Sequence, residues 1–180
     1  VLQALTLAEY EAQVARLIGL RLQAVRYYEL PGEPGWNAHL NFDSLDYGLD
    51  LQGEDGRCFG LIWGQTFAQY DVAVLSHALL QELSSATFTD VSLESRWADV
   101  TGQVITTVMV SWQSGFEPDG APYPEAVTLQ LTSGQRIHVA ALEFRDETGW
   151  IGMADHLSVF FDDRAAAAAG RPVASATFAS

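Results

Sequence analysis

The chain has no lysine, a single cysteine, and no apolar run approaching the roughly 18 residues a membrane helix needs. Each absence excludes something. With Cys58 alone, no intrachain disulfide can form, which suits a reducing compartment and sets the expectation of a cytoplasmic protein. All nine bases are arginine, set against 23 acids, and the net charge is −14. The imbalance is spread evenly, with twelve acids and four arginines in residues 1–90, and eleven and five in residues 91–180. Neither half offers the basic footprint that phosphate neutralisation requires, so nucleic acid is excluded as a direct partner, and anionic membranes for the same reason. The opening VLQALTLAEY lacks a basic region followed by an apolar core and reads as no secretory leader. There is no G-x-S-x-G, no P-loop and no dinucleotide-type glycine run. His39, His77, His138 and His156 are too scattered for a zinc motif. No cofactor or metal is expected.

What is present suits one domain: 180 residues, 48% of them apolar, with five tryptophans. Leu7, Tyr10, Val14, Leu17 and Ile18 form an apolar stripe at helical spacing. Thr6 and Glu9 make a capping box, and Gly19 supplies the stop, so 6–18 reads as a helix. The period then changes to two. Residues 20–29 read as a strand, 45–52 as a second with Asp46, Gly48, Asp50 and Gln52 turned to water, and 57–63 as its hairpin partner across GEDG. The order recurs as a strand from Gly102, a Pro/Gly loop, and a hairpin turning at Ser133–Gly134.

Gly19 to Val25 and Gly102 to Val108 have equal spacing. Leu49, Leu51, Gly56, Phe59 and Leu61 match Val127, Leu129, Gly134, Ile137 and Val139 at one offset. This predicts two related strand–loop–hairpin units, about 16–64 and 98–144, although two unrelated meanders would share the alternation. Residues 69–83 fit either a helix or a strand at 72–75. Residues 92–100 read as a short helix and HLSVFF as the last strand. The expected fold is α+β, dominated by antiparallel sheet, with the N-terminal helix packed across one face. The globular domain is expected over 1–164, followed by a small-residue tail at 165–180.

Residues 41–57, NFDSLDYGLDLQGEDGR, carry five carboxylates. On one strand Asp46 and Asp50 would lie about 13 Å apart, too far to share a cation or to act as a glycosidase pair. Asp43 and Asp46 could approach each other in the turn before it. The reading is a hairpin with an acidic outer face. Cys58, in acidic surroundings, reads as a small filler and not as a nucleophile.

The loops PGEPGWNAH and FEPDGAPYPE combine acids with aromatic anchors. The expected partner-binding set is therefore Glu33, Trp36, Asp46, Asp50, Glu54, Asp55, Phe116, Glu117, Asp119 and Tyr123. The function expected is a non-catalytic acidic module docking a basic protein, in its specific form a bacterial immunity-type inhibitor of a nucleic-acid-cleaving toxin. The alternative is a small enzyme or ligand-binding protein with a pocket between sheet and helix, lined by Tyr10, Trp63, Asp71, His77 and His156.

Overall fold

A computed structural model of the chain describes residues 5–31, 35–67, 69–83, 86–114, 122–170 and 176–179. Helix α1 spans Leu7–Ala15. Its capping box is formed on both sides, with Glu9 N donating to Thr6 Oγ1 (3.3 Å) and Thr6 N donating to Glu9 Oε2 (2.8 Å). The helix ends three residues before the expected Ile18, and 3-10-type bonds carry the chain on to Gly19, whose φ is +80°. Tyr10 and Val14 of α1 and the following Leu17 are fully buried, each worth roughly 1.5–3 kcal/mol. The helix runs beside a sheet edge: Tyr10 Oη donates to Val72 O (2.5 Å) and Gln13 Nε2 to Val74 O. Those carbonyls would otherwise present an unpaired edge.

The first sheet has the order β5-β4-β3-β1-β6, where β1 is Leu22–Glu29, β3 Gly48–Gly53, β4 Cys58–Gly64, β5 Asp71–Leu75 and β6 Thr87–Asp90. The second has the order β13-β7-β8-β9-β12-β2. Here β2 is Phe42–Leu45, β7 Ile105–Gln113, β8 Tyr123–Leu131, β9 Arg136–Ala140, β12 Leu157–Phe160 and β13 Ala176–Ala179. A separate hairpin pairs β10 (Leu142–Arg145) with β11 (Gly149–Gly152), and α2 covers Asp163–Ala168. All pairings are antiparallel. Both sheets face one core, with Val25, Leu49, Leu51, Phe59 and Leu61 from one meeting Val108, Val127, Leu129, Ile137 and Val139 from the other. No helix among the described residues is long and apolar enough to cross a membrane.

The two sheets share a register residue for residue. In β1–β3, Leu22 faces Gly53 and Val25 faces Leu51, with a shift between Leu22 and Ala24; in β7–β8, Ile105 faces Leu131 and Val108 faces Leu129, with a shift between Ile105 and Thr107. Leu51 faces Phe59 as Leu129 faces Ile137, and Leu61 faces Val74 as Val139 faces Val159. The junction bonds are reciprocal: Gly19 N donates to Ile105 O (2.8 Å) and Gly102 N to Leu22 O (2.7 Å). Both hairpin turns place a glycine at positive φ, Gly56 at +83° and Gly134 at +87°. Among the described residues, two strand pieces fall outside this correspondence: β2, which lies in the first half's β1–β3 connection, and the β10–β11 hairpin between β9 and β12.

Several expectations are corrected. Residues 45–52 are not one strand: the chain leaves β2 in the second sheet and enters β3 in the first, turning at Asp46–Tyr47. Asp50 does not face water. It is fully buried, accepting from Tyr28 Oη (2.6 Å) and Leu79 N (2.9 Å), because the 3-10 turn Leu79–Gln81 covers that face of β3. Residues 71–75 are a strand. Residues 94–101 form hydrogen-bonded turns and no regular helix. HLSVFF is not the last strand, because β13 follows and pairs with β7 within the expected tail.

Candidate functional site

The sheet switch at Asp46 builds the most chemically loaded surface. Period two along β2 sends Asp43 and Leu45 inward and leaves Phe42, Ser44 and Asp46 on the outer side. Asp43 is fully buried and held by Tyr27 Oη (2.7 Å) and by an ion pair with Arg96. Arg96 also donates to His39 O and Leu40 O (2.5 and 2.8 Å), which pins the segment before β2. The expected approach of Asp43 to Asp46 does not form a cation site: Asp43 faces the core and is already neutralised.

Asp46 sits beside Glu29, at the end of β1. Burial, and then the hydrogen bond and charge of Asp46, push the Glu29 carboxyl up to about 8. At that value Glu29 keeps its proton at neutral pH. Glu29 Oε1 is buried without a hydrogen-bond partner. Asp46 accepts from Leu30 N (2.8 Å) and lies 3.5 Å from His156 Nε2, and its backbone carbonyl accepts from Trp63 Nε1 (2.7 Å). Glu29, Gly35, Ala38, His39, Ser44, Asp46 and His156 line a recess of about 190 Å³.

The residue turning the chain out of β11 toward His156 is Met153, whose φ of 51° is the one positive value among described non-glycine residues. That conformation costs about 1–2 kcal/mol, and it orients the segment carrying Asp155 and His156. Glu143, Asp155 and His156 each bring one donor atom within 4.8 Å of the others. Tetrahedral zinc with bonds of 2.0–2.2 Å requires ligand atoms about 3.5 Å apart. Glu143 is moreover engaged by Arg145 through two contacts (2.6 and 2.8 Å). The cluster could receive a divalent cation only by contracting and displacing Arg145.

Next to the acid recess lies an aromatic cup of about 390 Å³, lined by Phe42, Phe144, Trp150, Ala165, Ala168 and residues 38–41. His39 stacks on Phe42 (4.3 Å, 15°), Phe42 contacts Trp150 (4.6 Å), and Phe144 meets Trp150 edge-on (5.1 Å). Leu40, on the rim, is 93% exposed. A third recess of about 430 Å³ continues past Asn41 to Asp162 and Arg164. The acid recess and the cup share Ala38 and His39; the cup and the third recess share Asn41, Ala165 and Ala168. Together they form one groove, bounded by β2, the β10–β11 hairpin and α2.

Of the residues expected to bind a partner, Asp46 lies in this groove. Trp36 is half-buried near it and packs edge-on against Tyr27 (5.2 Å). Asp50 and Tyr123 are buried. Glu54 and Asp55 are exposed at the β3–β4 turn, Glu54 near Arg21 (3.6 Å) and Asp55 against Arg57 (2.7 Å). Glu33, Phe116, Glu117 and Asp119 lie outside the described residues. The alternative pocket set does not converge. Tyr10 and Asp71 are buried, the latter accepting from Phe67 N (3.0 Å), and His77 pairs with Glu82 (3.0 Å) at the surface; Trp63 and His156 both meet Asp46. Burial pushes the Cys58 thiol up to about 11, away from nucleophilic use.

Sequence reasoning missed Glu29, Phe144 and Trp150. It also missed a chain from Asp163 through His138 Nε2 (2.9 Å) and Nδ1 to Thr128 Oγ1 (2.8 Å). In that chain Thr128 is 4% exposed, so the hydroxyl is closed to a substrate and the network is structural. No family model, curated protein or solved structure matches this chain.

Proposed function

We propose that this chain is a non-catalytic acidic module that binds a basic protein, the groove beside β2 being its docking surface. The observation that carries this reading is the juxtaposition of charge and apolar contact. Glu29, Asp46, Glu143 and Asp155 gather at one end of a groove whose middle is aromatic, with Arg145 and His156 as the bases in contact there. Acidic rims steer a basic partner, and aromatic centres supply the anchoring energy. The specific form is an immunity-type inhibitor that occupies the phosphate-binding cleft of a nucleic-acid-cleaving toxin. We also propose that the two halves are copies of one unit, supported by their matching registers and reciprocal junction bonds. The groove is then bounded by α2 and by β2 and β10–β11, strands with no counterpart among the described residues of the other half.

A second reading is supported by the raised Glu29 carboxyl beside His156. That pair has the makings of a general acid and base in a small-ligand pocket.

The test is an affinity capture from lysate of the native host at about 50 mM and about 500 mM salt, with surface attraction screened in the second. A single basic protein retained at low salt, copurifying on size exclusion and released by a Glu143→Gln/Asp155→Asn variant, supports docking. A stoichiometric small molecule carried by the purified chain, with no protein captured at either salt, supports the pocket reading instead.

A further inference from the structure

The groove has a polarity that specifies what fits it. Phe42 and Ser44 lie on one side of β2, about 6.5–7 Å apart, and Asp46 follows at the bend where the chain leaves the strand. Phe42 belongs to the aromatic cup; Ser44 and Asp46 belong to the acid recess. Phe42 and Asp46 are four residues apart, up to about 13 Å, roughly twice the distance between side chains i and i+2 on another extended chain, so the long stem of an arginine or lysine must cover the remainder. The far end is different: Arg164 faces it together with Asp162, so a cationic group is directed toward Glu29 and not toward α2.

We infer that the groove holds a short extended segment of the basic partner, seating an apolar side chain in the Phe42–Phe144–Trp150 cup and an arginine or lysine, two positions along, against Glu29 and Asp46. This rests on the docking reading above and names the chemistry of the docked segment. Charge complementarity selects a cation: Asp46 is already a hydrogen-bond acceptor, and Glu29 Oε1 is a buried oxygen lacking a donor, which a guanidinium or ammonium group supplies. At about 390 Å³ the cup lies within the roughly 300–1,000 Å³ range of side-chain and ligand pockets. Leu40, held at the rim through the Arg96 bonds to the 39 and 40 carbonyls, adds apolar contact at little ordering cost. The groups facing the bound cation are Glu29 from β1, Asp46 after β2, His39 before it and His156 before β12, with Asp43 behind.

The experiment titrates the purified chain with end-blocked tripeptides, read by amide NMR shifts and by tryptophan fluorescence. Acetyl-Leu-Ser-Arg-amide is compared with its citrulline analogue, which keeps the shape and removes the charge, and with acetyl-Ala-Ser-Arg-amide. Saturable shifts at residues 38–46 and 142–156 are expected, weakened fivefold or more by citrulline and by alanine. Glu29→Gln/Asp46→Asn, which removes both carboxyls, is expected to abolish the difference between arginine and citrulline, and Phe144→Ala the difference between leucine and alanine. Asp99→Asn, exposed and not among the residues lining the groove, is expected to change neither. Circular dichroism of each variant confirms that it is folded. Equal binding of the arginine and citrulline peptides, shifts lying elsewhere, or no saturable shift at low millimolar peptide overturns the assignment. The two readings fail separately. A captured basic protein indifferent to Glu29→Gln/Asp46→Asn and to Phe144→Ala leaves docking intact and removes the groove. Peptide binding without any captured protein keeps the groove's chemistry and removes the module reading.

Discussion

Replacing Glu29 with glutamine fixes the acid recess in the hydrogen-bonding state of its protonated carboxyl, since an amide N–H can donate to Asp46 as the carboxyl O–H does. In the native chain, burial and Asp46 raise this group from 4.5 to about 8. A raised pKa in the folded state means that folding takes up a proton between those values. The stabilising contribution is complete below about pH 4.5 and is lost as pH rises through about 8. At 1.36 kcal/mol per unit the whole displacement corresponds to about 5 kcal/mol, an upper bound. The recess is open to water and the pair relaxes, so we expect about 2 kcal/mol. Urea and thermal unfolding at pH 5.5, 7 and 9 measure it. The variant's advantage over the native chain should be smallest at pH 5.5 and grow by pH 9 to about 2 kcal/mol, or about 4–8 °C in Tm for a chain of this size. A native stability profile that does not fall between pH 6 and 9, or a variant that tracks it in parallel at every pH, would refute the proton held on Glu29.

Arg96→Met should lower stability by about 3 kcal/mol in urea melts, because it leaves the buried Asp43 carboxylate with Tyr27 as its remaining side-chain partner. Adding Asp43→Asn should recover part of that loss, and no recovery would contradict the charge argument. Gly48→Ala should cost more than about 2 kcal/mol, since a Cβ there would stand 2.1 Å from the backbone oxygen of Leu61. Met153→Gly should stabilise the chain by about 1 kcal/mol by relieving the positive φ, and an unchanged or lower Tm would place no strain at that corner.

Much of the architecture was legible because two signals were local and strong. The Thr6–Glu9 box fixed the helix start, and glycine at Gly56 and Gly134 fixed two hairpin turns whose flanking alternation matched the observed registers. The sheet switch at Asp46–Tyr47 was hidden for a physical reason. Leu45 in one sheet and Leu49 in the other point into the same core, so alternation runs on unbroken while the hydrogen-bond partners change. Alternation reports which side a residue faces but not what covers that side. Asp50 therefore read as exposed, although the turn at Leu79 lies over it. The hairpin carrying Phe144 and Trp150 went unread because its strands have four residues each, too few for a periodic signal. The cross-strand pairing of Phe144 with Trp150 around the turn Asp146–Glu147–Thr148 was the available clue. Glu29 could not be found from sequence at all, since its proton depends on a neighbour seventeen residues away that only the fold brings close.

Hydrogen exchange of the chain alone and in complex with the captured basic protein tests the central claim most directly. The account predicts slowed exchange at residues 38–46 and 142–156, which carry the groove, with little change at α1 or β6. Protection confined to α1, β6 or the β3–β4 turn, with the groove exchanging as in the free chain, would contradict it.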